Sequence, residues 1–202
     1  MKTLEPDWQR QQPNEDAVRT MWSKIRFENI PITHPEILHF IHDLKVAYPR
    51  GGALLYHFQV AENITFDWFA YNNRLEEIDF VNHAIGSGDI ISAAAELSID
   101  ASLLPIESLV HLPDSFDMAG RLARHLYHGG PHADQNLEPN EALQKAGEFV
   151  DQIIQNRYAE VSVILFDTAW ADWFYDEYWD ITYLLYDREH RQIWLLCLTD
   201  TQ

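Results

Sequence analysis

Positive charge is scarce in this chain beyond its first 50 residues. Residues 1–50 hold seven of the 14 Lys and Arg residues, and seven Asp and Glu residues balance them. Residues 51–120 contain one base, Arg74, against eleven acids, and residues 121–202 contain six bases against fourteen acids. The formal net charge of −18 therefore arises after residue 50. Such a surface repels nucleic acids and anionic membranes and attracts basic proteins.

Cysteine and long apolar runs are also nearly missing. The single cysteine, Cys197, excludes a disulfide framework and a cysteine-rich zinc module, and its apolar neighbours predict a buried thiol. No stretch reaches the roughly 18 apolar residues that a membrane helix needs. Residues 1–8 lack the apolar core of a signal peptide. These absences lead us to expect a soluble, cytoplasmic protein.

Glycine-rich phosphate motifs and the Gly-x-Ser-x-Gly elbow are absent as well. The short turn at residues 86–89 is surrounded by acids that would repel phosphate. We therefore expect no nucleotide and no other cofactor.

What the sequence does supply is core material, because 47% of its residues are hydrophobic and 13% are aromatic. We predict a flexible arm over residues 1–13 and a single domain over residues 14–202. The periodicity predicts an α+β fold in which helices pack on a largely antiparallel sheet that ends in a C-terminal β-hairpin. Helices are predicted over about 15–27, 35–48, 76–85, 89–97, 115–128 and 140–155, with a short one over 172–178. Strands are predicted over 53–60, 64–71, 161–166, 181–186 and 192–198.

The strongest metal-like pattern lies where the helix over 115–128 ends. His125 and His128 share a helix face, and His132 and Asp134 follow on a loop that two glycines could fold back. Three imidazoles and a carboxylate would suit zinc. The spacing matches no known zinc motif, and histidines near a helix C-terminus are also favoured by the helix dipole. We expect no bound metal, with this cluster as the alternative.

The same helix carries Arg121 and Arg124 on an otherwise acidic body. They could hold an anionic ligand or dock an acidic surface. The simpler interpretation is a solvated helix face on which Asp117 pairs with Arg121.

Residues 167–180 form what we call the acidic–aromatic segment, which contains six aromatic residues, five acids and no base. In a binding interpretation its aromatic side chains anchor a partner and its carboxylates steer that partner. The candidate partner-binding residues are Asp172, Trp173, Tyr175, Asp176, Glu177 and Trp179. In the alternative, Trp170, Trp173, Phe174 and Tyr178 form the buried stripe of a helix and the acids face water.

This segment and the hairpin after it, over residues 160–202, resemble bacterial immunity proteins, which neutralise a cognate toxin by direct contact. The resemblance is one of composition and carries no diagnostic motif. It implies a non-enzymatic inhibitor whose acidic face meets a basic toxin. Two other hypotheses stay open: a metal-dependent enzyme using the histidine cluster, and a mimic of nucleic-acid charge using residues 51–120.

Overall fold

The computed structural model describes residues 11–134 and 137–202. They form seven α-helices and six β-strands, and the predicted α+β class is confirmed. The helices are α1 (Glu15–Trp22), α2 (Pro35–Ala47), α3 (Ile64–Tyr71), α4 (Phe80–Ile85), α5 (Gly88–Ala93), α6 (Met118–His128) and α7 (Pro139–Ile154). The strands are β1 (Phe27–Asn29), β2 (Gly52–Val60), β3 (Val110–Leu112), β4 (Val161–Phe166), β5 (Ile181–Asp187) and β6 (Gln192–Thr199). Short 3-10 turns lie at Leu75–Ile78, Ala95–Leu97 and Ala101–Leu103.

All six strands join one antiparallel sheet in the order β1-β2-β6-β5-β4-β3. The predicted C-terminal hairpin, β5–β6, is confirmed and lies in the middle of the sheet. Strand β6 pairs with β2 on its other side, from Gly52 opposite Thr199 to Gln59 opposite Gln192. The three-residue strands β1 and β3 lie at the two edges, and short edges limit pairing with other chains.

Helices cover both faces of this sheet. We call one side the α3 face, where α1, α3, α4 and α5 pack, and the other the α6 face, where α2, α6 and α7 pack. Along β6, Ile193 and Leu195 point to the α3 face, whereas Trp194 and Leu196 point to the α6 face. The two central strands are therefore apolar at nearly every position, because neither face meets water.

Residues 64–71 are not the predicted strand but helix α3. Aromatic and branched residues favour a strand. The side-chain oxygen of Asn63, however, accepts hydrogen bonds from the backbone N–H groups of Thr65 and Phe66 and so caps the start of a helix. Phe66, Phe69 and Ala70 then lie on one helix face, which is buried against the sheet. Here helix capping and a packed apolar face outweigh strand propensity.

Residues 172–178 do not form the predicted short helix either, since they follow a series of turns and bends. The backbone N–H of Trp173 donates to the carbonyl of Leu97 at 3.1 Å, and that of Asp172 donates to Ser98 at 3.3 Å. These two N–H groups therefore bond to a different loop and not within a helix of their own segment. Asp176 also adopts a left-handed backbone with φ of 59°, which interrupts a right-handed helix.

At the N-terminal end, the first helix stops at Trp22 and not near residue 27, where β1 begins. Residues 1–10 of the predicted arm lie outside the described residues. Of the rest of the arm, Gln12 accepts a hydrogen bond from the side chain of Arg74 at 3.3 Å. Each helix in the described part of the chain is too short or too polar to cross a lipid bilayer.

Candidate functional site

The acidic–aromatic segment connects β4 to β5 across one end of the sheet. Buried Trp170 fixes its beginning by donating from its indole to Thr182 Oγ1 at 2.9 Å. Buried Asp180 fixes its end, since its carboxylate accepts the Thr199 hydroxyl and, at 3.1 Å, the backbone N–H of Glu177. The segment lacks helix and strand, but its two ends are anchored in the core.

Between these anchors the aromatic side chains divide into buried and exposed ones. Phe174 is buried against the core, whereas Tyr175 is 51% exposed and Tyr178 is 89% exposed. The Tyr175 hydroxyl donates to the carbonyl oxygen of Arg50 at 3.3 Å, so this side chain lies along the surface. Trp170 and Phe174 are therefore buried as the buried-stripe interpretation requires, whereas Trp173 is only partly buried, Tyr178 is exposed and no helix forms.

The six predicted partner-binding residues do not lie on one face. Asp172 and Asp176 are exposed, and Glu177 is partly buried. Trp173 packs against the core of the α3 face, whereas Trp179 packs against the core of the α6 face. The segment thus presents carboxylates and tyrosines outward while its two remaining tryptophans are partly buried on opposite sides of the sheet.

A pocket of about 510 Å³ opens beside the end of the segment, between helix α6 and the sheet. We call it the α6 pocket. It brings the segment together with the helix that carries the histidines and arginines singled out in the sequence. Its lining residues are Tyr48, Arg121, Arg124, His125, His128, Gly129, Leu165, Asp167, Tyr178, Trp179, Asp180, Ile181 and Tyr183.

His125 lies between two tyrosines in this pocket. Its Nδ1 is 2.8 Å from the Tyr48 hydroxyl, and its Nε2 is 2.7 Å from the Tyr183 hydroxyl. Burial lowers the pKa of His125 from 6.5 to about 4, and the nearby arginine charges act in the same direction. Burial also raises the pKa of Tyr183 to about 12. Burial raises the pKa of Tyr48 as well, so all three rings are neutral near pH 7.

The two arginines of the pocket differ in their partners. Arg121 pairs with Asp117 at 2.6 Å, as predicted for a solvated helix face. Arg124 is exposed and makes no hydrogen bond or ion pair to any residue that the structure describes. The guanidinium of Arg124 is therefore available to a ligand of the pocket, in a protein that is strongly acidic overall.

The structure does not assemble the alternative metal site. His125 already uses both ring nitrogens, and His128, His132 and Asp134 are exposed. Within residues 11–134 and 137–202, no three His, Cys, Asp or Glu side chains are grouped so that they could hold a metal ion.

No protein-family model, curated protein or solved structure matches this chain. The residues and their geometry are therefore the basis for any functional conclusion.

Sequence reasoning missed three important residues of this region. Tyr48 and Tyr183 meet His125 from distant parts of the chain, and no local pattern signals that meeting. The third residue is Tyr178, whose spacing from the other aromatic residues suits the buried stripe of a helix. A signal against that interpretation was available: five acids within residues 167–180 leave little room for a continuous buried face.

Proposed function

We propose that this protein is a protein-binding module that holds a basic partner through its acidic–aromatic segment. The observation that carries the proposal is the exposure of Tyr178 and Tyr175 on a segment whose ends are anchored in the core. Tyrosine is enriched where proteins meet, because it offers a large contact area at a low cost in side-chain entropy. A segment already held in shape also loses less entropy on binding.

Charge supports the choice of a basic partner. Exposed Asp172 and Asp176 lie in the same segment as the exposed tyrosines, and the segment contains no base. Carboxylates around a contact surface steer an oppositely charged protein towards it and disfavour acidic ones. The likeness of this region to bacterial immunity proteins favours a toxin as that partner, neutralised by direct contact and without catalysis.

The charge test removes three carboxylates and compares the variant with one that changes the same charge elsewhere. Partners are captured from the native host, identified by mass spectrometry and purified for kinetic measurements. The test variant is Asp172→Asn/Asp176→Asn/Glu177→Gln. The control variant, in the acidic stretch 51–120, is Glu76→Gln/Glu96→Gln/Glu107→Gln, whose three side chains are exposed.

We expect the test variant to associate several-fold more slowly at about 0.05 M salt and the difference to shrink at about 0.5 M salt. The control variant should associate at nearly the wild-type rate. Equal rates for the wild type and the test variant would contradict the proposal. A slow control variant would instead move the interface to residues 51–120.

The aromatic test uses Tyr178→Ser, with Phe116→Ser as the matched control. Phe116 is 69% exposed but lies outside the segment. Loss of an anchoring aromatic side chain acts mainly on dissociation, so Tyr178→Ser should shorten the lifetime of the complex about tenfold or more at either salt concentration. Phe116→Ser should leave that lifetime unchanged. The same lifetime for both variants would remove Tyr178 from the interface.

A further inference from the structure

The floor of the α6 pocket contains a hydrogen-bond donor that the protein itself does not use. A neutral imidazole has one N–H and one bare nitrogen. One of the two tyrosines therefore donates its hydroxyl to His125, and the other accepts the ring N–H and keeps its own proton free. Neither the Tyr48 nor the Tyr183 hydroxyl bonds to any further residue in the described part of the chain.

Positive charge lies along the same pocket. Arg124 has no hydrogen-bond or ion-pair partner among residues 11–134 and 137–202, and Arg121 is held by Asp117. An unpaired guanidinium is a strong donor to carboxylate oxygens, with which it forms two parallel hydrogen bonds. A free hydroxyl and a free guanidinium in one pocket are complementary to an anion.

The walls limit which anion fits. Leu165, Ile181 and Trp179 supply apolar surface, and Tyr178 supplies an aromatic ring. Asp167 and Asp180 also line the pocket, and their carboxylates disfavour a phosphate with two negative charges more than a carboxylate with one. A volume of about 510 Å³ lies in the range of pockets that bind small organic molecules, roughly 300–1,000 Å³.

We propose that the α6 pocket binds a small organic monocarboxylate with a flat apolar body. Arg124 binds the carboxylate, the free tyrosine hydroxyl of the floor adds a hydrogen bond, and the apolar walls cover the body of the ligand. The pocket shares Tyr178 and Trp179 with the acidic–aromatic segment, but Arg124 lies outside that segment, so Arg124→Gln tests carboxylate binding without changing the proposed partner interface.

Benzoate is the probe, and benzamide is its neutral counterpart of the same shape. Each is titrated into the ¹⁵N-labelled protein up to about 20 mM, a range that detects dissociation constants near 1 mM. Backbone amide shifts at Arg124, His125 and Tyr183 report on the pocket. Inorganic phosphate is titrated in parallel. Arg124→Gln is the test variant, and Arg26→Gln, at another exposed arginine, is the control with the same change of charge.

We expect benzoate to shift the backbone amide signals of the pocket in a saturable way. Benzamide should bind at least about tenfold more weakly than benzoate. Arg124→Gln should weaken benzoate binding by a similar factor, whereas Arg26→Gln should not. The melting temperatures of both variants verify that they are folded. The proposal would be overturned if benzoate gave no saturable shifts, or if benzamide bound as tightly as benzoate. It would also be overturned if Arg124→Gln bound benzoate as tightly as the wild type. Phosphate binding as tight as that of benzoate would overturn the role of the apolar walls.

Discussion

The hairpin β5–β6 and the acidic–aromatic segment that precedes it are both rich in aromatic residues, yet they use them differently. Tyr183, Tyr186 and Trp194 of the hairpin are all buried, because helices cover both faces of the central strands. The segment buries Trp170 but leaves Tyr178 almost fully exposed. Its irregular backbone turns successive side chains in different directions.

Aromatic content alone therefore does not identify a binding surface. In the hairpin the aromatic side chains stabilise the fold. In the segment Trp170 and Phe174 are buried, whereas Tyr175 and Tyr178 face solvent. The proposed partner-binding role is assigned to the second group, because solvent-facing tyrosines add little to stability. Substitutions in the two groups should therefore differ in their effect on the free energy of unfolding.

The largest effect is expected in the hairpin. Trp194 is 7% exposed and its ring stacks on His57, with the ring centroids 3.6 Å apart. Trp194→Ala should lower the free energy of unfolding by about 3–5 kcal/mol, because it removes a buried indole and leaves a cavity. Urea unfolding monitored by far-UV circular dichroism measures this. A loss below about 1 kcal/mol would mean that the hairpin is not the stabilising region.

Acid should also act through the hairpin, since buried His57 and partly buried His125 both contact it. His57 stacks on Trp194, and His125 bonds to Tyr183. Burial lowers the pKa of each histidine from 6.5 to about 4. The unfolded chain therefore binds more protons between these values, and the stability that is complete above pH 6.5 is lost as the pH falls towards 4.

Between about pH 7.5 and about pH 5.5, the expected loss is about 1 kcal/mol for each histidine. Urea unfolding at the two pH values measures it. His125→Gln should be less stable at neutral pH and should show roughly half of the wild-type pH dependence in this window. Equal stability of the wild type at both pH values would show that neither imidazole is held neutral by burial.

A smaller loss is expected at the anchor of the segment. Trp170→Phe keeps an aromatic ring but removes the indole N–H that Thr182 accepts at 2.9 Å. The loss should be about 1–3 kcal/mol, because a buried acceptor is left without its donor. The accompanying change should be local: hydrogen exchange of residues 171–179 should accelerate more than that of the hairpin. Uniform acceleration would show that the segment and hairpin unfold as one unit.

The smallest effect on stability is expected at the exposed tyrosine. Tyr178→Ser should change the free energy of unfolding by less than about 0.5 kcal/mol, as is usual for surface positions. Such a result would show that Tyr178 of the segment is dispensable for the fold, whereas Trp194 of the hairpin is not. A loss above about 1 kcal/mol would place Tyr178 among the stabilising residues.

The sequence predicted the C-terminal strands well for a physical reason. Apolar runs over 161–166, 181–186 and 192–198 are short, branched and separated by polar residues, so they fit a strand covered on both faces. The fold class followed from them. Helix α3 could not be predicted in the same way, because its composition favours a strand and only Asn63, as a cap, indicates a helix.

Less of the candidate site could be predicted. The composition of residues 167–180 indicated the segment, but its exposed and buried positions depend on backbone contacts with Leu97 and Ser98, which lie far away in the sequence. The α6 pocket depends on a meeting of Tyr48, His125 and Tyr183. Contacts between such distant residues depend on the order of strands and helices in space, which local periodicity does not specify.

The central position of β6 has a consequence for how the chain is made. Strand β2 leaves the ribosome early, and its main pairing partner, β6, is synthesised only after every other strand. Until then the apolar side chains of β2 lack their neighbour and are open to contacts with other nascent chains. Sheets with such distant pairings also fold slowly. Completion of the sheet therefore has to wait until all of its other strands have been synthesised, and β2 stays exposed to wrong contacts for that time.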